Sequence, residues 1–174
     1  RFGVRQRAAL RQKADTSAHL LVMTATPIPR SLALTLYGDL ALSVIDELPP
    51  GRQVTETRGL EPFQRDEAYD FIRQQVAQGR QAFIICPLIE ESPAVEARAA
   101  VAEYQRLARE VFPELRLGLV HGQMPPRDRE DVMRQFRDGR LATLVATPVI
   151  EVGIDIPNAT VMLVEGADRF GLAQ

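Results

Sequence analysis

Cysteine is nearly absent: one residue in 174, Cys86, and it closes the apolar run Ala82–Cys86. A lone cysteine excludes an intrachain disulfide framework, which suits a reducing compartment, and within an apolar run it reads as a packing residue rather than a nucleophile. No apolar stretch approaches the roughly 18 residues of a membrane span, and no charged-then-apolar leader is seen. Positive charge is not in excess either. The net charge is -2, so any contact with nucleic acid must come from a local patch. Also missing are a Gly-rich phosphate loop of the G-x-x-x-x-G-K-[ST] form, Cys/His sets at metal-ligand spacing, and an Asp-Glu pair directly after a strand. These absences exclude a nucleotide hydrolase complete within these residues.

What is present has the composition of an ordinary globular protein, 45% hydrophobic and 25% charged, at a length of one domain or one domain plus part of another. The chain opens on Arg1 rather than Met and reaches Gln174 without a terminating signal, so it is expected to be part of something longer.

Helix is expected over 1–13 and 32–37, and short strands over 19–23 and within 40–48. Pro49-Pro50-Gly51-Arg52 suits neither helix nor central strand and marks a domain boundary. Residues 1–50 are then a remnant of one domain, and 51–174 the greater part of another. Beyond the boundary, strands are expected over 55–60, 81–86, 115–120, 141–145 and 160–164. Helices are expected over 64–78, with Ala68, Phe71, Ile72 and Val76 inward, over 94–111 and over 127–136. Gly79 and Gly139 serve as helix stops. Strand and helix alternating at this spacing predict an α/β fold, a doubly wound and mostly parallel sheet with helices on both faces.

In such a sheet ligands gather at the carboxyl ends of the strands. Three loops follow strands and should meet there: 87–92, His121 to Met124, and Thr147 to Asp155. The last contains a hydroxyl, a residue without a side chain and a carboxylate in Thr147, Gly153 and Asp155. Backbone amides, a hydroxyl, an imidazole and nearby arginines, here Arg80, Arg127, Arg129 and Arg140, can grip a phosphodiester chain without reading its bases. Plainer roles stay open. Thr147 can cap a helical turn, Gly153 end it and Asp155 begin a strand; His121 can be a satisfied loop histidine; Thr24 and Thr26, flanking Ala25, can be turn caps. The interleaved Asp128, Glu130 and Asp131 are compatible with a merely solvated helix face.

Taken together, MTATPIPR, HGQM with PPRDREDVMRQF, and VATPVIEVGIDIP resemble motifs of the superfamily-two helicases and translocases, whose motors are RecA-like domains. RSLALTLYGDLALSVIDELPPGR and FIICPLIEES resemble the RecG family of bacterial DNA helicases, which remodel stalled replication forks. The resemblance runs over essentially the whole chain. The transcription-repair coupling factors share HGQM and RFGLAQ, but ELPPGR and CPLIEES argue against them. From another class, a non-catalytic RecA-like module that binds nucleic acid or protein is the alternative.

The resemblance implies that Thr24, Ala25 and Thr26 couple the nucleotide and nucleic-acid sites. It implies that Thr147 binds a phosphate of the tracked strand, that His121 and Gly122 lie beside the DNA path, and that Gly153 and Asp155 approach the nucleotide. Pro148 stands where a second hydroxyl is usual and donates no hydrogen bond. ATP and Mg²⁺ are implied for the full-length protein, with none held by this chain alone. RFGVRQR and RFGLAQ would adjoin the Mg²⁺-binding box and the arginine-finger motif. The implied partner is branched DNA, with no membrane, in the bacterial cytoplasm. Strand edges exposed in the remnant would offer pairing with a second copy.

Overall fold

The computed structural model describes residues 21, 23, 43–45, 47, 54–87, 92–148 and 155–170. The chain divides into two units, and every regular element described lies in the one spanning Leu48–Leu172.

A 3-10 turn at Pro62–Gln64 leads into α1, Arg65–Ala77. Proline at the first turn loses no needed donor, and the Gln64 side chain accepts the Glu61 N–H at 3.1 Å. Gly79 (φ 81°) ends α1: its N–H donates to Val76, and that of Arg80 to Gln75. The left-handed residue thereby satisfies carbonyls that the last turn leaves open. Strand β1 is Gln81–Ile85. Helix α2, Pro93–Arg106, is capped by Ser92 Oγ accepting the Val95 N–H, and continues as a π-helical turn over Leu107–Val111. Then come β2 (Leu117–Val120), α3 (Pro126–Arg137), β3 (Thr143–Ala146) and β4 (Ala159–Val164). Gly139 (φ 71°) closes α3 through the same pair of hydrogen bonds as Gly79.

The four strands form one parallel sheet in the order β2-β3-β1-β4. Strands β1 and β3 are buried at every residue, as continuous apolar runs between two helical layers must be. On one face Ala82 and Ile84 pack with Tyr69 and Ile72 of α1, Leu107 and Phe112. On the other, Phe83, Ile85 and Leu144 pack with Met133 and Phe136 of α3. At the amino ends, buried Gln81 donates through Nε2 to the carbonyls of Phe136 (2.6 Å) and Leu141 (2.7 Å), while its Oε1 accepts from Asn158 (3.1 Å). One amide thus ties α3 to the starts of three strands.

Several expectations need correction. Residues 55–60 are not a strand. They are exposed, hold one large apolar residue, Leu60, and carry a local Arg58–Glu56 ion pair instead of a buried face. The inward stripe of α1 is Tyr69, Ile72 and Val76, whereas Phe71 is 50% exposed. Tyr69 wins the inward position because its ring packs edge-on against Phe112 at 5.4 Å while its hydroxyl finds polar partners. Strand β3 begins at Thr143 rather than Leu141. Leu21 and Met23, expected in a buried strand, are 79% and 82% exposed and in no strand; Val44 and Ile45 are likewise exposed outside any strand. The rest of the expected elements before residue 54 lie outside the described residues.

Candidate nucleic-acid interface at the carboxyl ends of the strands

The sheet order sets His121 after β2, Thr147 after β3, Cys86 after β1 and Glu165 after β4, side by side along one rim. Backbone hydrogen bonds carry the ladder one residue past each strand: Thr147 N–H to Val120, Cys86 N–H to Ala146, and Glu165 N–H to Ile85, all between 2.8 and 3.1 Å. Thr147, Cys86 and Glu165 are therefore tied by backbone hydrogen bonds to the strand beside each.

Thr147 is fully buried, and its Oγ1 has no hydrogen-bond partner among the described residues. His121, half-buried beside it, likewise has a buried Nδ1 without a partner there. Buried polar groups are nearly always paired, and of the three without a partner among the described residues two lie here at neighbouring strand ends, the third being Thr143 Oγ1 at the start of β3. The turn after β2 closes by Met124 N–H donating to the His121 carbonyl at 3.1 Å. This exposes Gly122, around whose missing Cβ there is open space. Gly122 does not adopt a positive φ, so neither strain nor packing demands glycine here. Gly122→Ala is expected to change the unfolding free energy, measured by urea, by less than about 0.5 kcal/mol. A larger loss would mean the turn itself requires glycine.

Asp155 is exposed. Gly153, the expected coupling residues Thr24, Ala25 and Thr26, and residues 88–91 lie outside the described residues. Of the four arginines expected beside this rim, only Arg127 and Arg129, in the first turn of α3, stand toward it. Arg80 and Arg140 precede β1 and β3 and belong to the opposite, amino-end rim.

Sequence reading missed the polar cluster around Glu165. Its carboxylate accepts from Arg65 at 2.8 Å and from the Tyr69 hydroxyl at 3.2 Å. That hydroxyl accepts in turn from Arg106 at 2.8 Å, and Arg106 is forked onto Glu103 at 2.6 and 3.0 Å. The network joins α1, α2 and the end of β4. Its one local signal is a carboxylate placed directly after a strand. Burial chiefly, with Glu165 adding, raises the Tyr69 hydroxyl above its usual value, against the opposing Arg106. Hydrogen bonding to Glu103 chiefly holds Arg106 above its usual value.

Cys86 sits under this cluster, and burial first, then the charges of Glu103 and Glu165, push its thiol up to about 12. As a raised value, its contribution to stability is fully present below the unfolded value of 9.0 and lost as pH rises through about 12; Tyr69 acts with the same sign. Iodoacetamide at neutral pH should therefore leave Cys86 unmodified until denaturant is added. Rapid alkylation of folded protein would show the thiol to be neither buried nor protonated.

Among the described residues no three His, Cys, Asp or Glu side chains converge on a metal position, and no helix is long and apolar enough to cross a membrane.

Residues 64–173 match the helicase conserved C-terminal domain. The chain belongs to that family. The helicase C-terminal match covers α1 through β4 and the rim just described. The chain is 54% identical over 175 residues to the ATP-dependent DNA helicase RecG of Thermotoga maritima, covering all of this chain and 22% of that protein. Against the RecG of Synechocystis sp. the identity is 52%, covering 100% and 21%, and against that of Escherichia coli K12 it is 50%, covering 100% and 26%. The chain thus spans about a quarter or less of these relatives. Among solved structures, the Hef helicase domain of Pyrococcus furiosus is similar at a TM-score of 0.43 and 18% identity, over 58% of this chain and 18% of that one. The expected resemblance to RecG helicases and the α/β RecA-like fold are both borne out.

Proposed function

We propose that this chain is the nucleic-acid-gripping part of an ATP-dependent DNA helicase that remodels branched DNA and stalled forks, working in the bacterial cytoplasm. The observation that carries this is the pair of buried, unpartnered polar atoms, Thr147 Oγ1 and His121 Nδ1, at neighbouring strand ends. A phosphodiester oxygen accepting from the threonine hydroxyl would satisfy the first of them. The exposed Gly122 lets a backbone approach closely, and Arg127 and Arg129 supply charge beside it.

Within the full-length protein, residues from about 53 onward act as the second RecA-like domain and residues 1–50 as part of the first, with Thr24, Ala25 and Thr26 coupling them. Gly153 and Asp155 would approach the nucleotide from the second domain, as the family resemblance implies. When bound, ATP supplies the energy that closes the two domains; residues outside this chain hold Mg²⁺ and stabilise the transferring phosphoryl group. This chain's own task is to hold one strand, which suits a rim hydrogen-bonded into the sheet.

Hydrolysis by the full-length protein, measured with and without forked DNA, tests the reading: stimulation by DNA is expected, and none from the 174-residue chain alone. A full-length protein that binds DNA without hydrolysing ATP would favour the non-catalytic module instead. Turnover by the isolated chain would overturn the division of labour.

A further inference from the structure

The arginines at the other end of the sheet have no part in that grip. Arg116 stands directly before β2, Arg140 three positions before β3 and Arg80 directly before β1, and these strands are neighbours in the order β2-β3-β1. The strand starts are stitched together by Ala142 N–H donating to Arg116 (2.8 Å) and Ala82 N–H to Ala142 (3.1 Å), which places Arg116 level with Ala142, while Arg140 stands in the turn that closes α3 and Arg80 donates to Gln75 Oε1 at 2.7 Å. Adjacent strands lie about 4.8 Å apart, so the starts of the three strands span roughly 10 Å. Arg137, in the last turn of α3, adds a fourth cation at the same end.

All four are exposed. Among the described residues the one carboxylate that engages any of them is Asp138, 4.0 Å from Arg140, whose side chain is 70% exposed. Glu114, next to Arg116 in the turn before β2, is occupied by Arg73 at 3.2 Å. Four cations against one carboxylate leave about three positive charges on this rim, in a chain whose net charge is -2. Such local concentration against the overall sign is what attracts a polyanion.

We propose that this amino-end rim holds the phosphate backbone of a second nucleic-acid segment, separate from the strand met at the carboxyl ends. Strands of four to five residues, at about 3.3 Å each, set the two rims roughly 13–16 Å apart with a buried sheet between them. A segment lying along one rim therefore does not lie along the other. The ligand is nucleic acid rather than a protein because no exposed large hydrophobic residue lies at this rim: those described on this unit are Val54, Leu60, Phe63, Phe71, Met162 and Val164. A protein partner needs apolar anchors at the centre of its interface, whereas phosphate needs forked donors. The chemistry of the cations agrees. Of the 21 basic residues all but Lys13 are arginine, the side chain that binds phosphate through two parallel N–H bonds.

The choice of nucleic acid rests on the proposed motor, and the test separates the two. Binding of a fluorescent forked duplex to the full-length protein would be followed across a salt series, for wild type and for Arg80→Gln/Arg116→Gln/Arg140→Gln. The slope of log K against log salt is expected to flatten by about 2–3, with affinity at low salt falling tenfold or more. Charge reversal, Arg116→Glu/Arg140→Glu, should weaken binding further at an unchanged melting temperature. An unchanged slope and affinity would overturn the second site while leaving the motor standing. So would retained DNA binding together with lost binding of an oligo-glutamate peptide, which would point to an acidic protein partner. A wild-type protein whose ATP hydrolysis ignores DNA, yet whose salt slope responds to the arginines, would sink the motor and keep the site.

Discussion

Phe136→Ala is expected to lower the unfolding free energy by about 3–5 kcal/mol. Phe136 is fully buried on α3 and meets Phe83 of β1 edge-on at 5.0 Å. Around it stand Ile85, Val120, Met133 and Leu144, so the truncated side chain leaves a cavity walled by three strands. Domains of this size are stable by only about 5–15 kcal/mol, and this loss would take a large share of it. The control is Phe71→Ala. That ring is 50% exposed, and its removal should cost well under 1 kcal/mol. Urea unfolding at constant m-value checks both. Equal losses for the two rings, or a loss below about 1 kcal/mol for Phe136, would mean that α3 is not seated on the sheet as described.

Thr147→Val should act in opposite directions on stability and on function. Valine keeps the shape but removes a buried hydroxyl that has no partner among the described residues. An unsatisfied buried group costs about 1–3 kcal/mol, so the variant chain should be no less stable than the parent, and more stable if the hydroxyl is idle in the free protein. In the full-length protein, the same change removes the donor proposed to meet a DNA phosphate. DNA-stimulated hydrolysis should fall about tenfold or more while the affinity for ATP holds. Because Pro148 donates no hydrogen bond, no adjacent hydroxyl is available to substitute. Unchanged DNA affinity and unchanged stimulated turnover would remove Thr147 from the DNA path. A marked drop in stability would show that the hydroxyl is a structural cap.

The glycine stops at Gly79 and Gly139, the order of strands and helices from α1 to β4 and the lone packing cysteine were all legible in the residues. So was the nearness of His121 to Thr147, because each follows a strand of a parallel sheet. These features depend on local periodicity, on backbone φ requirements and on one general rule of α/β topology. They need no knowledge of what lies across the molecule.

Which ring of α1 faces inward was decided only in three dimensions. Tyr69 and Phe71 are both aromatic and both near the apolar stripe. Only the position of Phe112, Arg106 and Glu165 makes the ring with a hydroxyl the better fit. The same holds for the cluster around Glu165, assembled from residues up to 100 positions apart, which no window along the chain can connect. The burial of Thr147 and the sorting of the arginines onto two opposed rims also belong to the tertiary structure. A strand has two ends, and whether a neighbouring charge serves one end or the other depends on how the chain enters the sheet rather than on its distance in sequence.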